Sequence, residues 1–232
     1  MSEPKVLVGC PTSDHKEYCL KEFAKRVKKL SYKNYDVLLI DNSEGDDYAK
    51  KIESYGLTCH KVPFKKGVKE RLAECRNLLR DKALAGGYDY FLSLEQDIIP
   101  PKDIIQRLIF HRAKVVSALY TKLMKVKDGD KDLGMQEVPV LYALEDGQAR
   151  RMLMEEVKEK KLIPIIGGGL GCVLINRSIF ERIKFRVEKD AKGFDDMYFF
   201  SDLDRMDVQP LCDTSIHVKH LEQTWDEKMR KS

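Results

Sequence analysis

Strand and helix patterns alternate through the first half of this chain, and that alternation limits the fold more than any other feature. Lys5-Val6-Leu7-Val8-Gly9-Cys10 is an apolar run of strand length. Asp14 and Glu17 have capping-box spacing. Leu20, Phe23, Val27 and Leu30 follow at helical spacing, with lysines on the other face. Asp36 to Ile40 is a second strand, and Tyr48, Ile52 and Tyr55 mark a short helix closed by Gly56. Leu57 to Val62 is a third strand. Val68, Leu72, Cys75, Leu79 and Ala83 line a longer helix that stops at Gly86-Gly87, and Tyr88 to Leu94 is a fourth strand. A β-α-β-α-β-α-β order predicts an α/β fold: a doubly wound, mainly parallel sheet flanked by helices. The right-handed crossover rule places successive helices on its faces.

The second half is less regular, which predicts a smaller mixed C-terminal part. Ile104, Ile105, Leu108 and Ile109 predict a helix, and Val115 to Leu119 a fifth strand. Residues 124–137 are charged and contain glycine, the composition of a surface loop. Val138 to Leu144 returns as a strand, and Arg150 to Lys161 reads as a charged helix. Ile163 to Ile166 leads into Gly167-Gly168-Gly169-Leu170-Gly171 and the strand Cys172 to Ile175. Ile179, Phe180 and Ile183 indicate a short helix, and Thr224 to Ser232 is a polar tail.

The 42 basic and 38 acidic residues leave a net charge of only +4, which is not the balance of a nucleic-acid-binding protein. No run approaches the roughly 20 apolar residues of a membrane span. Met1 to Lys5 leads straight into a strand, so no signal peptide is expected. Cys10, Cys19, Cys59, Cys75, Cys172 and Cys212 include no Cys-x-x-Cys pair and read as reduced core residues of a cytoplasmic protein. Lys21, Lys25, Lys28 and Lys29 form a basic helix face that suits peripheral contact with an anionic membrane or, more simply, solvation.

The chemistry-bearing residues fall at strand ends. The fourth strand stops in Glu95-Gln96-Asp97, whose two carboxylates project to the same side because strand side chains alternate with period two. In an open α/β sheet ligands bind at that end, and paired hard oxygens suit a divalent cation holding a phosphate. The plainer alternative is a pair of solvated loop acids or a helix cap. The first strand ends in Pro11-Thr12 and the second in Asp41-Asn42-Ser43. Together they suit a nucleotide, with Pro11 and Thr12 against base and ribose and Asp41 accepting from a base N–H or ribose hydroxyl. Arg76 sits on the helix before the acidic strand, placed to grip a diphosphate or to pair with Glu70 or Asp81. The glycine run lacks the dinucleotide spacing, because Cys172 stands at the sixth position. It reads as a close backbone approach to a ligand, or as a bulge. Asp195-Asp196 precede a helical pattern, as caps or as a general base. His217 and His220 lie near the end of the chain, and in a strand they face opposite ways. A histidine joining Asp97 on a metal would suit Mn²⁺ better than Mg²⁺ or Ca²⁺. His15, His60 and His111 have no acidic motif beside them and read as surface or helix-end residues.

In order and spacing these residues resemble the nucleotide-sugar-dependent glycosyltransferases of the GT-A fold, closest to small, soluble family-2-like members. The resemblance spans roughly residues 5 to 222. It implies one GT-A-like domain over 1–232, with a nucleotide-binding half (about 1–120), an acceptor and catalytic half (about 121–222) and a tail (223–232). The implied activity is metal-dependent transfer of a sugar from a UDP- or GDP-sugar to an acceptor hydroxyl on a glycan, lipid or small molecule, with Mn²⁺ or Mg²⁺ as cofactor. Glu95-Gln96-Asp97 matches the DxD motif, with Asp97 a metal ligand and Glu95, a departure from the usual Asp, a further candidate for the metal, directly or through water, or for the ribose of the nucleotide sugar. Pro11, Thr12, Asp41, Arg76 and Gln96 match nucleotide-side positions, and Gly169, Leu170 and Gly171 the loop lining sugar and acceptor. Asp195 and Asp196 match the catalytic acidic pair, with Asp196 acting on the acceptor hydroxyl. His220 matches the late metal-binding histidine, with His217 as the fallback. Two other readings remain: a sugar-phosphate nucleotidyltransferase, which normally carries a Gly- and Arg-containing loop after the first strand, and a non-catalytic nucleotide-sugar-binding module.

Overall fold

A computed structural model describes residues 3–128, 131–188 and 193–222. In the first half, strands β1 (Val6–Thr12), β2 (Tyr35–Asp41), β3 (Thr58–Lys61) and β4 (Tyr90–Leu94) alternate with helices α1 (Glu17–Val27), α2 (Asp47–Ser54) and α3 (Val68–Ala85). A 3-10 turn, Asp14–Lys16, precedes α1. Then come β5 (Ile98–Ile99), α4 (Ile104–Phe110), β6 (Val115–Leu119), β7 (Thr121–Asp128), β8 (Lys131–Pro139), β9 (Leu141–Glu145) and β10 (Gln148–Arg151). The remaining elements are α5 (Met154–Val157), β11 (Leu162–Pro164), β12 (Gly167–Gly168), β13 (Cys172–Asn176), α6 (Arg177–Phe180), α7 (Asp195–Arg205), β14 (Leu211–His217) and β15 (Lys219–His220).

Eight strands form the central sheet in the order β11-β14-β6-β13-β4-β1-β2-β3. Strands β1 to β4 pair in parallel, as does β14 with β6. β13 enters between β4 and β6 antiparallel to both, and β11 lies antiparallel to β14. The sheet is mixed and mostly parallel. Period-two alternation splits its core into two layers. Val6, Val8, Cys10, Leu92 and Leu94 pack with α1, α2 and α4 residues such as Phe23, Ile52 and Ile105. Leu7, Ile40, Phe91 and Val173 pack on the other face with α3, α6 and α7 residues such as Leu79, Phe180 and Phe199. Burying each such side chain contributes about 1.5–3 kcal/mol. Gly9 leaves room for the Phe91 ring of β4 and for Leu79 of α3 against the sheet: a Cβ there would lie 2.4 Å from the former and 3.0 Å from the latter.

Several local expectations are corrected. Of the stretch expected as a loop, residues 124–128 and 131–137 belong to the β7–β8 ribbon, and 129–130 lie outside the described residues. Most described residues of β8 are exposed, so their composition imitates a loop. Arg150 and Arg151 are strand, paired with Ala143 and Tyr142, and helix is confined to the single turn α5. Arg150 holds that turn by hydrogen bonds to Glu156 at 2.8 and 2.9 Å. The strand expected over 138–144 is divided between β8 and β9. Asp14 forms no capping box: it opens the 3-10 turn, its Oδ1 accepts from the His15 N–H (3.0 Å), and Lys16 precedes α1. All six cysteines are free. Among the described residues no helix is long and apolar enough to cross a membrane. The tail from 224 onward lies outside the described residues.

Candidate active site

β1, β2 and β4 run in the same direction, so their carboxyl ends share one edge. Thr12 stands opposite Asp41 in register, and β4 turns over the same edge into Glu95-Gln96-Asp97. The turn is closed by the Glu95 N–H donating to the Gly171 carbonyl (2.9 Å) and the Ile98 N–H to the Glu95 carbonyl (3.0 Å). The three strand ends expected to form a site do meet.

Gln96 is buried at the centre of this edge. Thr12 donates its hydroxyl to the Gln96 side-chain oxygen, and Gln96 Nε2 donates to the Lys16 carbonyl (2.6 Å) and Tyr48 Oη (2.8 Å). Pro11 and Thr12 are buried beneath it. Gln96 thus ties the acidic turn to β1, to the 3-10 turn and to α2. Asp41 is fully buried. Its Oδ1 accepts from the Ser43 N–H (2.9 Å) and hydroxyl, while Oδ2 has no hydrogen-bond partner and Lys61 Nζ stands 3.9 Å away. A buried acceptor without a donor costs about 1–3 kcal/mol.

Asp97 is 4% exposed. Its carbonyl accepts from the Leu221 N–H (2.8 Å), and β5 pairs antiparallel with β15, His220 opposite Ile98. That short ladder brings His220 Nε2 to 3.4 Å from Asp97 Oδ2. Lys16 sets its ammonium on the same oxygen, and Oδ1 has no partner. Burial pushes the Asp97 carboxyl up, but the hydrogen bond from His220 and the Lys16 charge outweigh it and hold the pKa at about 2. Burial opposes protonation of His220, yet Asp97 and the Thr121 carbonyl, 2.9 Å from Nδ1, raise its pKa. With Nδ1–H committed to that carbonyl, Nε2 faces Asp97. His217 is exposed on β14, so it is His220 that joins Asp97.

Arg76 is 1% exposed and lies behind the edge. It pairs with neither Glu70 nor Asp81. Its Nη2 donates to Glu95 Oε1 and its Nη1 to Asp195 Oδ1, both at 2.6 Å. Burial works against the charged guanidinium, but the Asp195 and Glu95 carboxylates more than compensate and raise its pKa. The longer arm of Glu95 is spent on this pair. Asp195 opens α7 fully buried, with Oδ2 unpartnered, and Asp196 beside it accepts from the Met197 N–H (2.7 Å). Burial raises the Asp196 pKa, with the Asp195 and Glu95 charges adding to it, against the Met197 N–H and Arg76. A carboxylate shifted upward is a stronger base.

The glycine run is shaped by a residue the sequence reading missed. Tyr120, just past β6, fits against it: a Cβ on Gly169 would lie 1.9 Å from Tyr120 Oη, and one on Gly171 3.0 Å from Tyr120 Cζ. Leu170 turns its side chain into the core while its carbonyl accepts from Ser93 Oγ (2.8 Å). Tyr120 then meets His220 edge-on, ring centroids 5.6 Å apart. Its only sequence signal was an aromatic immediately following an apolar strand. Lys16 was also missed, having no signal at all. His111 is more than a helix end: its Nε2 lies 2.8 Å from Asp213 Oδ2.

No protein-family model matches this sequence, and no curated protein matches it. Solved structures do. A structure of GalNAc-T7 with UDP, GalNAc and Mn²⁺ superposes with a TM-score of 0.67 at 12% identity, over 95% of this chain and 43% of that one. The chain therefore spans less than half the length of that neighbour. The crystal structure of A197 from STIV matches with a TM-score of 0.47 at 18% identity, over 94% of this chain and 86% of that one. Identities this low speak to fold. With the GalNAc-T7 likeness extending over nearly all of a mostly parallel sheet flanked by helices, the protein has the GT-A fold of nucleotide-sugar glycosyltransferases.

Proposed function

We propose that this protein is a glycosyltransferase that moves a sugar from a UDP- or GDP-sugar to an acceptor hydroxyl with the help of Mn²⁺ or Mg²⁺. One observation carries the reading: Asp97 and His220 meet at the carboxyl edge of the sheet, and Asp97 keeps one buried oxygen without a partner. A carboxylate oxygen beside an imidazole nitrogen is a donor set that fits Mn²⁺. Among the described residues no third His, Cys, Asp or Glu completes a metal cluster. Asp97 and His220 would hold the cation, and diphosphate oxygens and water would complete its shell, a usual arrangement for hard cations held with substrate phosphates. When bound, the cation would neutralise charge on the departing diphosphate.

The chain's own residues supply the rest. Residues 1–120 hold the nucleotide, with the free Asp41 oxygen accepting from the base or ribose beside Pro11 and Thr12. Residues 121–222 hold the acceptor, with Gly169 to Gly171 lining the sugar. Asp196 accepts the proton of the attacking hydroxyl, its basicity strengthened by burial. Arg76 supports this chemistry from behind by fixing Glu95 against Asp195. A nucleotidyltransferase is disfavoured because Ser13 to Lys16, the residues that follow β1, contain neither Gly nor Arg.

Thermal denaturation with a panel of nucleotides, with and without Mn²⁺, tests the proposal. At 100 times its Kd a nucleoside diphosphate adds about 2.7 kcal/mol, a rise of roughly 5–10 °C for a domain of this size. That rise disappears in chelator and in Asp97→Ala. No stabilisation by any nucleotide sinks the reading.

A further inference from the structure

Lys16 occupies a position that a passive surface lysine would not hold. It ends the 3-10 turn Asp14–Lys16, and its backbone is pinned to the acidic turn by Gln96 Nε2 donating to its carbonyl (2.6 Å). Its side chain is 27% exposed and ends on Asp97 Oδ2, the same oxygen that faces His220. An ammonium seated on a carboxylate neutralises it towards any second cation and repels that cation directly. Lysine also carries its charge on a flexible four-carbon stem, so it can leave Asp97 without moving the backbone.

We propose that Lys16 competes with the divalent cation for Asp97 and transfers its ammonium to the donor diphosphate when nucleotide and cation bind together. This rests on the metal-dependent reading above and deepens it. Lys16 makes metal and nucleotide binding interdependent: either one alone meets a site whose charges already satisfy each other. Together they give Asp97 a new partner and give Lys16 phosphate oxygens. By linkage, the factor by which nucleotide raises cation affinity equals the factor by which cation raises nucleotide affinity, and such couplings typically run about 5–150-fold.

The test is Mn²⁺ binding to the full chain, read from the electron paramagnetic resonance signal of free Mn²⁺ and by calorimetry. Wild type, Lys16→Met and Lys16→Arg are compared, each with and without UDP, and again with GDP. In wild type the nucleoside diphosphate is expected to tighten Mn²⁺ binding at least about tenfold. Lys16→Met binds Mn²⁺ alone about tenfold tighter than wild type and loses most of the coupling, while Lys16→Arg, which keeps the charge, retains it. If Lys16→Met binds Mn²⁺ alone no tighter than wild type while nucleotide still recruits the metal, the competition is overturned and the glycosyltransferase reading stands. If no variant binds Mn²⁺ with or without either nucleotide, the metal reading fails and takes the competition with it.

Discussion

Replacing Arg76 by methionine should unbalance the most buried charge cluster of the site. The guanidinium bridges Asp195, which is 0% exposed, and Glu95, whose side chain keeps 30% exposure. Methionine fills most of the volume, so the effect is one of charge. Glu95 can turn towards water, and its share is small. Asp195 cannot: it loses the donor to Oδ1, and Oδ2 already has none. Removing one partner of a buried pair costs about 3–5 kcal/mol, because the other charge is left uncompensated. For a domain of this length that is a fall of roughly 6–20 °C in thermal midpoint. In urea the midpoint should drop with the slope unchanged. Adding Asp195→Asn removes the stranded charge and should restore about half the loss, since the penalty lies in the charge rather than in the missing contacts. A cost below about 1 kcal/mol for Arg76→Met, or no recovery in the double variant, would refute the reasoning.

Asp196→Asn should bind donor nucleotide as tightly as wild type yet lose transfer by about 10²-fold or more, the scale of a general base; full turnover removes Asp196 from that role. Gly169→Ala drives a methyl into Tyr120 Oη and should cost about 1–3 kcal/mol by overpacking, with Tyr120→Phe recovering part of it in a denaturation series. Asp213 is lifted by burial but lowered further by bonds from Ser215 and His111, so its folded pKa lies below the ordinary value. Its stabilisation is complete above about pH 4 and fades as the pH falls through the depressed value; Asp213→Asn should flatten the acid limb of stability against pH, and an unchanged limb counts against it.

The first half of the fold was legible because its signals are local. Apolar runs of strand length and helical spacings that end in Gly56 or Gly86 need no knowledge of partners. The direction of β13 was not legible. Nothing in Cys172 to Ile175 says that it enters between β4 and β6 antiparallel to both, because a buried strand has the same apolar composition either way. The β7–β8 ribbon was missed for the converse reason: exposed strands carry the charges and glycine of a loop. At the site, acids at strand ends could be read from period two, whereas pairings could not. Arg76 finds Glu95 19 residues away and Asp195 119 residues away, not the sequence-near acids Glu70 and Asp81. The choice of His220 over His217 depends on two residues of β15 pairing with β5, a contact with no sequence signature.

The same geometry explains how three buried acids can share one edge. Asp41, Asp97 and Asp195 each have one oxygen satisfied by a side chain of the protein, Ser43, Lys16 and Arg76 respectively. In each the other oxygen has no hydrogen-bond partner, and these make three of the six buried side-chain polar atoms among the described residues in that condition. Buried polar groups are ordinarily paired, and exceptions concentrated in one place call for a local cause. An acid held by one oxygen is fixed in direction while its second oxygen remains an acceptor of undiluted strength in a low-dielectric setting. Glu95 differs: its part-buried carboxylate is drawn back to Arg76, while the shorter Asp97 keeps one buried oxygen unpartnered. The acidic triplet thus divides into Glu95, drawn back to Arg76, Gln96, which ties the turn to its neighbours, and Asp97, held by Lys16 with one buried oxygen unpartnered.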